Sequence, residues 1–119
     1  AELATQIEAG KAGTHEALFV GWSGRPDPDQ NVYDFTVTNG SLNYSKFGTK
    51  EIDDLLQQAR LESNETKRKA FYDQAMQILV KEVPYVYLNH DNVLFGISKA
   101  VKGFKLVPDG VIRTATLSK

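Results

Sequence analysis

Residues 17–29 read ALFVGWSGRPDPD, an apolar run that passes directly into a loop of glycines, prolines and aspartates. The apolar run is continuous rather than alternating, which is typical of a strand covered on both faces in an α/β layer. We therefore predict a strand over residues 15–22 and a loop over residues 24–31. Open α/β sheets bind ligands beyond the carboxyl ends of their strands, so this loop is the first candidate for a functional site.

Helical patterns lie on both sides of this loop. A helix over residues 1–9 should end at Gly10 to Gly13, and residues 32–38 should form a short helix or a turn. Thr49 should cap a third helix, and Ser63-Asn64 should cap a fourth, which Pro84 ends. Apolar residues recur at helical spacing in these last two helices, at Ile52, Leu55, Leu56 and Ala59 and then at Phe71, Ala75, Ile78 and Leu79.

Short runs of aromatic and β-branched residues predict further strands. They cover residues 85–88, 93–97, 101–107 and 111–117, and the last two flank a turn at Pro108-Asp109-Gly110. Helices that alternate with buried strands predict the α/β class.

The composition is that of a single ordinary globular domain of 119 residues. The formal net charge of −1 provides no global field that would favour nucleic acid or an anionic membrane. The chain has no cysteine, and no apolar run approaches the length that spans a membrane. A helical pattern starts at residue 1 with neither a methionine nor a cap before it, so we interpret the sequence as a piece of a longer protein.

An enzyme is one hypothesis for the loop. The sequence GWSG at 21–24 matches the first four positions of a G-x-S-x-G nucleophile elbow, with Ser23 as the nucleophile and His90-Asp91 as a source of the base. Arg25 stands where the second glycine should be, and Pro26 and Pro28 follow where a helix should begin. A small α/β hydrolase is therefore kept only as the alternative hypothesis.

A metal site is a second hypothesis. Asp27, Asp29 and Asn31 have the alternate spacing of an EF-hand loop. That loop also needs a glycine at its sixth position and a glutamate at its twelfth, and Val32 and Thr38 occupy these positions. We interpret the aspartates as turn-forming residues and predict no metal.

One wall of a ligand pocket is the third hypothesis. Trp22 offers a broad apolar surface, and the small residues Ser23 and Gly24 leave backbone groups open to a ligand. Arg25 could bind a ligand carboxylate through two hydrogen bonds. The alternative, on the residues alone, is that Trp22 fills a core and Arg25 pairs with a nearby aspartate.

Several segments together resemble the C-terminal part of the family 5 extracellular solute-binding proteins, which serve ABC importers of dipeptides, oligopeptides, glutathione and nickel. Each segment alone is a weak signal, but they follow one another in the family's order over nearly the whole chain. The segments are residues 17–22 with Gly24 and the DPD of 27–29, SLNYSKF at 41–47, EIDDLLQQAR at 51–60, KRKAFYDQA at 67–75, VPYVYL at 83–88 and VKGF at 101–104.

The resemblance implies a two-lobed, type II periplasmic-binding-protein fold with the ligand enclosed between the lobes. Residues 1–98 would belong to the C-terminal lobe, the chain would cross the hinge near residues 89–92, and residues 99–119 would return to pack on the N-terminal lobe. The implied function is capture of a peptide or peptide-like solute and its delivery to a membrane permease. The protein would then be a binding protein without a cofactor, periplasmic or lipid-anchored, and the 119-residue piece alone should self-associate.

Arg25 is a departure from the family pattern. In the peptide-binding members the residue three after the tryptophan is typically an aspartate that holds the α-amino group of the ligand. A guanidinium would repel an ammonium there. The resemblance therefore implies either a ligand that presents a carboxylate to Arg25, or a site in which Arg25 turns away and Asp27 takes the cation. The predicted ligand-binding residues are Trp22, Ser23, Gly24, Arg25 and Asp27.

Overall fold

The computed structural model describes residues 2–90, 92–107 and 109–119. By its internal contacts the chain divides into two units, residues 1–86 and residues 87–119. The first unit contains four helices in the described part of the chain: α1 (Leu3–Ala12), α2 (Asp29–Thr36), α3 (Lys50–Leu61) and α4 (Glu65–Glu82).

The predicted helix boundaries are set by local capping. The Thr49 hydroxyl accepts a hydrogen bond from the backbone N–H of Ile52 at 3.3 Å, and the Asn64 side chain accepts one from Lys67 at 3.1 Å. Each cap satisfies a backbone donor that the helix itself leaves unpaired. Helix α1 ends at Gly13, whose φ of 70° is the left-handed conformation that glycine adopts without strain. The predicted caps and the glycine stop are confirmed.

The core of the first unit lies where α3 packs against both α4 and α2. The predicted stripes on α3 and α4 face this core, because Ile52, Leu56 and Ala75 are completely buried and Leu79 nearly so. Residues 32–38, predicted as a short helix or a turn, form most of α2, which adds Val32 to the same cluster.

Within this unit an aromatic row leads from Tyr85 to the loop. Tyr85 donates a hydrogen bond from its hydroxyl to the carbonyl of Phe35 at 2.9 Å, and its ring packs edge-on against the Phe35 ring at 6.3 Å. The Phe35 ring in turn packs edge-on against Trp22, with ring centroids 5.0 Å apart. Phe35 on α2 therefore fixes where the tryptophan of the loop can lie.

The predicted strands are not formed in the structure. Residues 15–22, 85–88, 93–97, 101–107 and 111–117 contain no strand where they are described, and a single antiparallel bridge joins Lys102 to Ser118. Phe19 in the first of these segments is 69% exposed, so that segment is not covered on both faces. A segment becomes a strand only when a neighbour exchanges backbone hydrogen bonds along it, and these segments are not paired in that way.

The second unit is loosely packed. Its bridge consists of two hydrogen bonds, from Lys102 N–H to the Ser118 carbonyl at 2.8 Å and back at 3.1 Å. The Phe95 and Phe104 rings lie 5.6 Å apart. In the predicted turn the Gly110 N–H donates to the Val107 carbonyl at 3.1 Å and the Val111 N–H donates to Asp109 Oδ1 at 3.0 Å, while Pro108 lies outside the described residues.

Candidate ligand-binding loop

The tryptophan of the loop has one face packed and one face open. The edge contact with Phe35 holds the ring on the first unit, yet Trp22 remains 46% exposed. Its indole Nε1–H donates to the side-chain oxygen of Asn31 at 3.2 Å. Trp22 therefore does not fill a core, and an apolar surface is presented outward with its polar edge already satisfied.

Arg25 lies on the same surface as the tryptophan. Its guanidinium carbon is 4.9 Å from the centre of the Trp22 ring, within range of a cation–π interaction. One guanidinium nitrogen, Nη1, donates to the Ser23 carbonyl at 2.5 Å and to the Ser23 hydroxyl at 2.7 Å. Within the described residues no carboxylate pairs with Arg25, so the alternative in which Arg25 pairs with a nearby aspartate is not observed.

Gly24 is exposed, and a methyl group built on it would meet no atom within 4 Å. Sterics of this unit therefore do not require a glycine there. Its lack of a side chain leaves the backbone between Ser23 and Arg25 uncovered.

Asp27 is ion-paired with helix α4, and its side chain is 47% exposed. Arg68 donates to both of its carboxylate oxygens, from Nη2 to Oδ1 at 2.8 Å and from Nη1 to Oδ2 at 3.2 Å. The backbone N–H of Asp29 donates to Oδ1 at 2.9 Å. The Arg68 bonds first, and then the Asp29 N–H, lower the pKa of the Asp27 carboxyl below its ordinary value of 3.8.

A second ion pair fixes the end of the loop to α3. Arg60 donates to both oxygens of Asp29, from Nε at 3.0 Å and from Nη2 at 2.7 Å. Its guanidinium carbon lies 3.4 Å from the centre of the Tyr33 ring. Asp29 also stands in the first turn of α2, where a negative charge complements the helix dipole. The two aspartates thus hold the loop against two different helices.

Asn31 joins the parts of the loop to one another. Its side-chain oxygen accepts from the Trp22 indole and from the Arg25 N–H, and its side-chain nitrogen donates to the carbonyls of Arg25 and Asp27. The sequence pattern suggested Asn31 only as a metal ligand. The sequence signal for its bridging role was its position, since an asparagine in the first helical turn after a DPD sequence can bond to nearby backbone groups.

The metal and hydrolase hypotheses gain no support from these contacts. The oxygens of Asp27 and Asp29 are taken up by arginines, and among the described residues no cluster of three or more potential ligands could hold a metal ion. The Ser23 hydroxyl is bonded to a guanidinium, which cannot act as a general base. Asp91, proposed with His90 as the source of the base, lies outside the described residues.

A cavity of about 310 Å³ lies away from the loop. It is lined by Lys11 and by residues of the segment 38–48, including Asn43 and Tyr44, and by none of the predicted site residues. No helix among the described residues has the length and apolar character needed to cross a bilayer.

Comparison with known proteins bears out the resemblance. The chain is 37% identical over 106 residues to a dipeptide-binding protein of Pseudomonas aeruginosa strain PAO1. The matched region covers 86% of this chain and 20% of the relative. The chain is homologous to the family 5 peptide-binding proteins. It is also 31% identical over 108 residues to the dipeptide-binding protein of Escherichia coli K12, and 33% identical over 109 residues to di/tripeptide-binding protein 1 of Pseudomonas aeruginosa strain UCBPP-PA14.

The matches cover most of this chain but only a small part of each family 5 relative. The three matches include 86–88% of this chain but only 20% of each relative, so the chain spans about one fifth of their length. No family model matches the chain.

Proposed function

We propose that the protein carrying this chain is the solute-binding component of an ABC importer. It captures a peptide or peptide-like solute in a cleft between two lobes and delivers it to a membrane permease. It acts as a binding protein in the periplasm, or on a lipid anchor at the outer face of the cytoplasmic membrane. The observation that carries this proposal is the segment of residues 22–31, in which Trp22 and Arg25 lie together on an open surface in a chain homologous to peptide-binding proteins.

The proposed fold places these residues in an α/β lobe. The relatives are about five times as long as the matched region, and the apolar segments at 15–22 and 85–88 do not form strands in this chain. Strands from the rest of a full-length protein would supply the missing hydrogen bonds and cover Phe19. On this proposal residues 1–98 belong to the C-terminal lobe and residues 99–119 pack on the other lobe.

Arg25, rather than Asp27, is the charged group proposed to meet the ligand. Both oxygens of Asp27 already accept bonds from Arg68, so the charge of that carboxylate is already balanced within the chain. Arg25 has one nitrogen bonded to Ser23, and its other donors are not bonded to any described carboxylate. A ligand carboxylate bound above the Trp22 ring would form an ion pair with the Arg25 guanidinium.

Calorimetry on the full-length protein tests the proposal. Dialanine and alanyl-glutamate are titrated into the wild type and into Trp22→Ala, with Leu61→Ala as a control, because Leu61 is 76% exposed at the end of α3. The proposal expects binding of at least one peptide and a loss of about tenfold or more in affinity in Trp22→Ala alone. Equal affinities in all three proteins would exclude the loop from the binding wall.

The hydrolase alternative makes a different prediction in the same samples. A serine hydrolase would cleave a substrate and would react at Ser23 with a fluorophosphonate probe. We expect dialanine to remain intact by mass spectrometry and the probe to leave Ser23 unmodified. Labelling that disappears in Ser23→Ala would favour the enzyme.

A further inference from the structure

Asn31 uses its whole hydrogen-bonding capacity on the loop. A side-chain amide has one oxygen that can accept two bonds and one nitrogen that can donate two. The oxygen accepts from Trp22 Nε1–H at 3.2 Å and from Arg25 N–H at 2.8 Å. The nitrogen donates to the carbonyls of Arg25 at 2.7 Å and Asp27 at 3.1 Å.

The pattern of partners fixes the orientation of this amide. Its oxygen faces two N–H donors and its nitrogen faces two carbonyl oxygens, so the reversed orientation would bring donors against donors and acceptors against acceptors. The side chain can therefore satisfy the loop in one orientation only. It holds the indole of Trp22 and both backbone groups of Arg25 in a fixed relation.

From this geometry we propose that Asn31 is a positioning residue for ligand recognition, acting through Trp22 and Arg25. This inference rests on the proposed binding role of the loop. Asn31 ties the tryptophan ring to the backbone of the residue that carries the guanidinium, and the guanidinium lies 4.9 Å from the same ring. Removing the amide would let the ring and the charge move independently and would reduce the time they spend in a shared binding geometry.

The amide contributes little to the core of the unit. Asn31 is partly exposed, and its own backbone N–H is bonded to the Pro28 carbonyl at 3.0 Å, a bond that any residue except proline retains. The loop is also held by the Asp27–Arg68 and Asp29–Arg60 ion pairs, which do not involve Asn31. We therefore expect loss of the amide to loosen the Trp22–Arg25 surface while helices α3 and α4 remain packed.

Two substitutions separate the acceptor from the donor role. Asn31→Ala removes all four bonds, whereas Asn31→Asp keeps an oxygen for the indole and removes both donated bonds. Gln30→Ala is the matched control, because it shortens the neighbouring exposed residue in the same helical turn, whose side chain makes none of these four bonds. All variants are made in the full-length protein.

The first measurement is the NMR signal of the Trp22 indole N–H, assigned as the signal that Trp22→Phe removes. A hydrogen-bonded N–H resonates downfield and exchanges slowly with solvent. We expect an upfield shift and faster exchange in Asn31→Ala, a retained signal in Asn31→Asp, and no change in Gln30→Ala. An unmoved indole signal in Asn31→Ala would overturn the inference.

The second measurement is the affinity for dialanine and alanyl-glutamate by calorimetry. We expect Asn31→Ala to weaken binding by about three- to tenfold, the usual effect of losing one or two hydrogen bonds, with signals of the core residues Ile52 and Leu56 unchanged. A moved indole signal with unchanged affinity, while Trp22→Ala still weakens binding, would overturn the positioning role and leave the proposed function intact. Unchanged affinity in both variants would instead reject the proposed binding loop, and the inference with it.

Discussion

Arg68 on α4 and Asp27 in the loop form a two-pronged ion pair across 41 residues of sequence, with nitrogen–oxygen distances of 2.8 and 3.2 Å. Arg68 also donates from Nε to the Ala59 carbonyl in the last turn of α3 at 3.0 Å, and from Nη2 to the Tyr72 hydroxyl at 3.1 Å. One guanidinium thus connects α3, α4 and the loop. Its planar fork suits this role, which a lysine ammonium cannot reproduce.

Replacing this arginine should therefore loosen the loop more than a loss of charge alone would. We expect Arg68→Lys to lower the melting temperature by about 2–5 °C, because the fork bonds to Asp27 and Ala59 cannot both be kept. Lys69→Ala is the control, since Lys69 forms only an exposed pair with Asp73 on the same helix and should change the melting temperature by less than about 1 °C. Thermal unfolding followed by circular dichroism measures both. If Arg68→Lys and Lys69→Ala lowered the melting temperature by the same small amount, the hydrogen bonds of Arg68 would not contribute to stability.

Acid should remove the contribution of Asp27. Its folded-state pKa is lowered, so the ion pair stabilises the fold above the ordinary pKa of 3.8 and loses that effect as the pH falls through the folded-state value. The melting temperature of the wild type should exceed that of Asp27→Asn at about pH 7, and the difference should shrink below about pH 4. Asp109, whose pKa is lowered to about 2 by Arg113, is present in both proteins and cancels in the comparison. A difference that stays constant between about pH 2 and pH 7 would contradict the assignment.

Helices and caps could be predicted because their signals are local. Thr49 and Asn64 bond to backbone groups three residues away, and the stripe from Ile52 to Ala59 repeats within one helix. The strands could not be predicted from local signals. An apolar run shows a preference for strand, but strand formation depends on hydrogen-bond partners elsewhere in the chain. The described residues of these segments form no strand.

The sequence left two alternatives for Trp22 and Arg25, an open surface or a packed and ion-paired position, and the structure shows both residues exposed. The hydrogen-bond partners of the loop could not be predicted. The partners of the two aspartates are Arg68 and Arg60, which lie 41 and 31 residues away and carry no local mark of that pairing. Only folding brings α3 and α4 against the loop and decides that Asp27 and Asp29 face arginines.

The charge at Arg25 should set which peptides bind. We expect Arg25→Asp in the full-length protein to weaken binding of alanyl-glutamate by about tenfold or more and to favour ligands with a free amino group, because the reversed charge repels a carboxylate. Arg25→Gln is the control that removes the charge without reversing it. Its affinity for alanyl-glutamate should lie between those of the wild type and Arg25→Asp. Calorimetric titration of dialanine, N-acetyl-dialanine and alanyl-glutamate gives the ranking. The same ranking in all three proteins would show that Arg25 faces solvent.

Core packing predicts a sharp contrast within helix α3. Leu56 is completely buried between α3 and α4, whereas Leu61 at the end of the same helix is 76% exposed. We expect Leu56→Ala to cost about 2–5 kcal/mol in the free energy of unfolding, from lost burial and from the cavity left behind. Leu61→Ala should change it by less than about 0.5 kcal/mol. Urea unfolding, analysed with a common dependence of free energy on urea concentration, measures the cost of each substitution. Similar costs would mean that Leu56 does not face the core of α3 and α4.

The 119-residue chain should associate with itself when isolated. Its second unit exposes large apolar side chains, with Leu94 89% exposed and Leu106 68% exposed. Burying such surface against another copy is favourable, at roughly 25 cal/mol per Å² of apolar area. Light scattering over a range of concentrations should show a mass that rises above 13.2 kDa. Leu94→Glu combined with Leu106→Glu should restore the monomer, while Val80→Glu on the exposed face of α4 should not. A monomer at every concentration would show that the exposed residues of the second unit do not drive association.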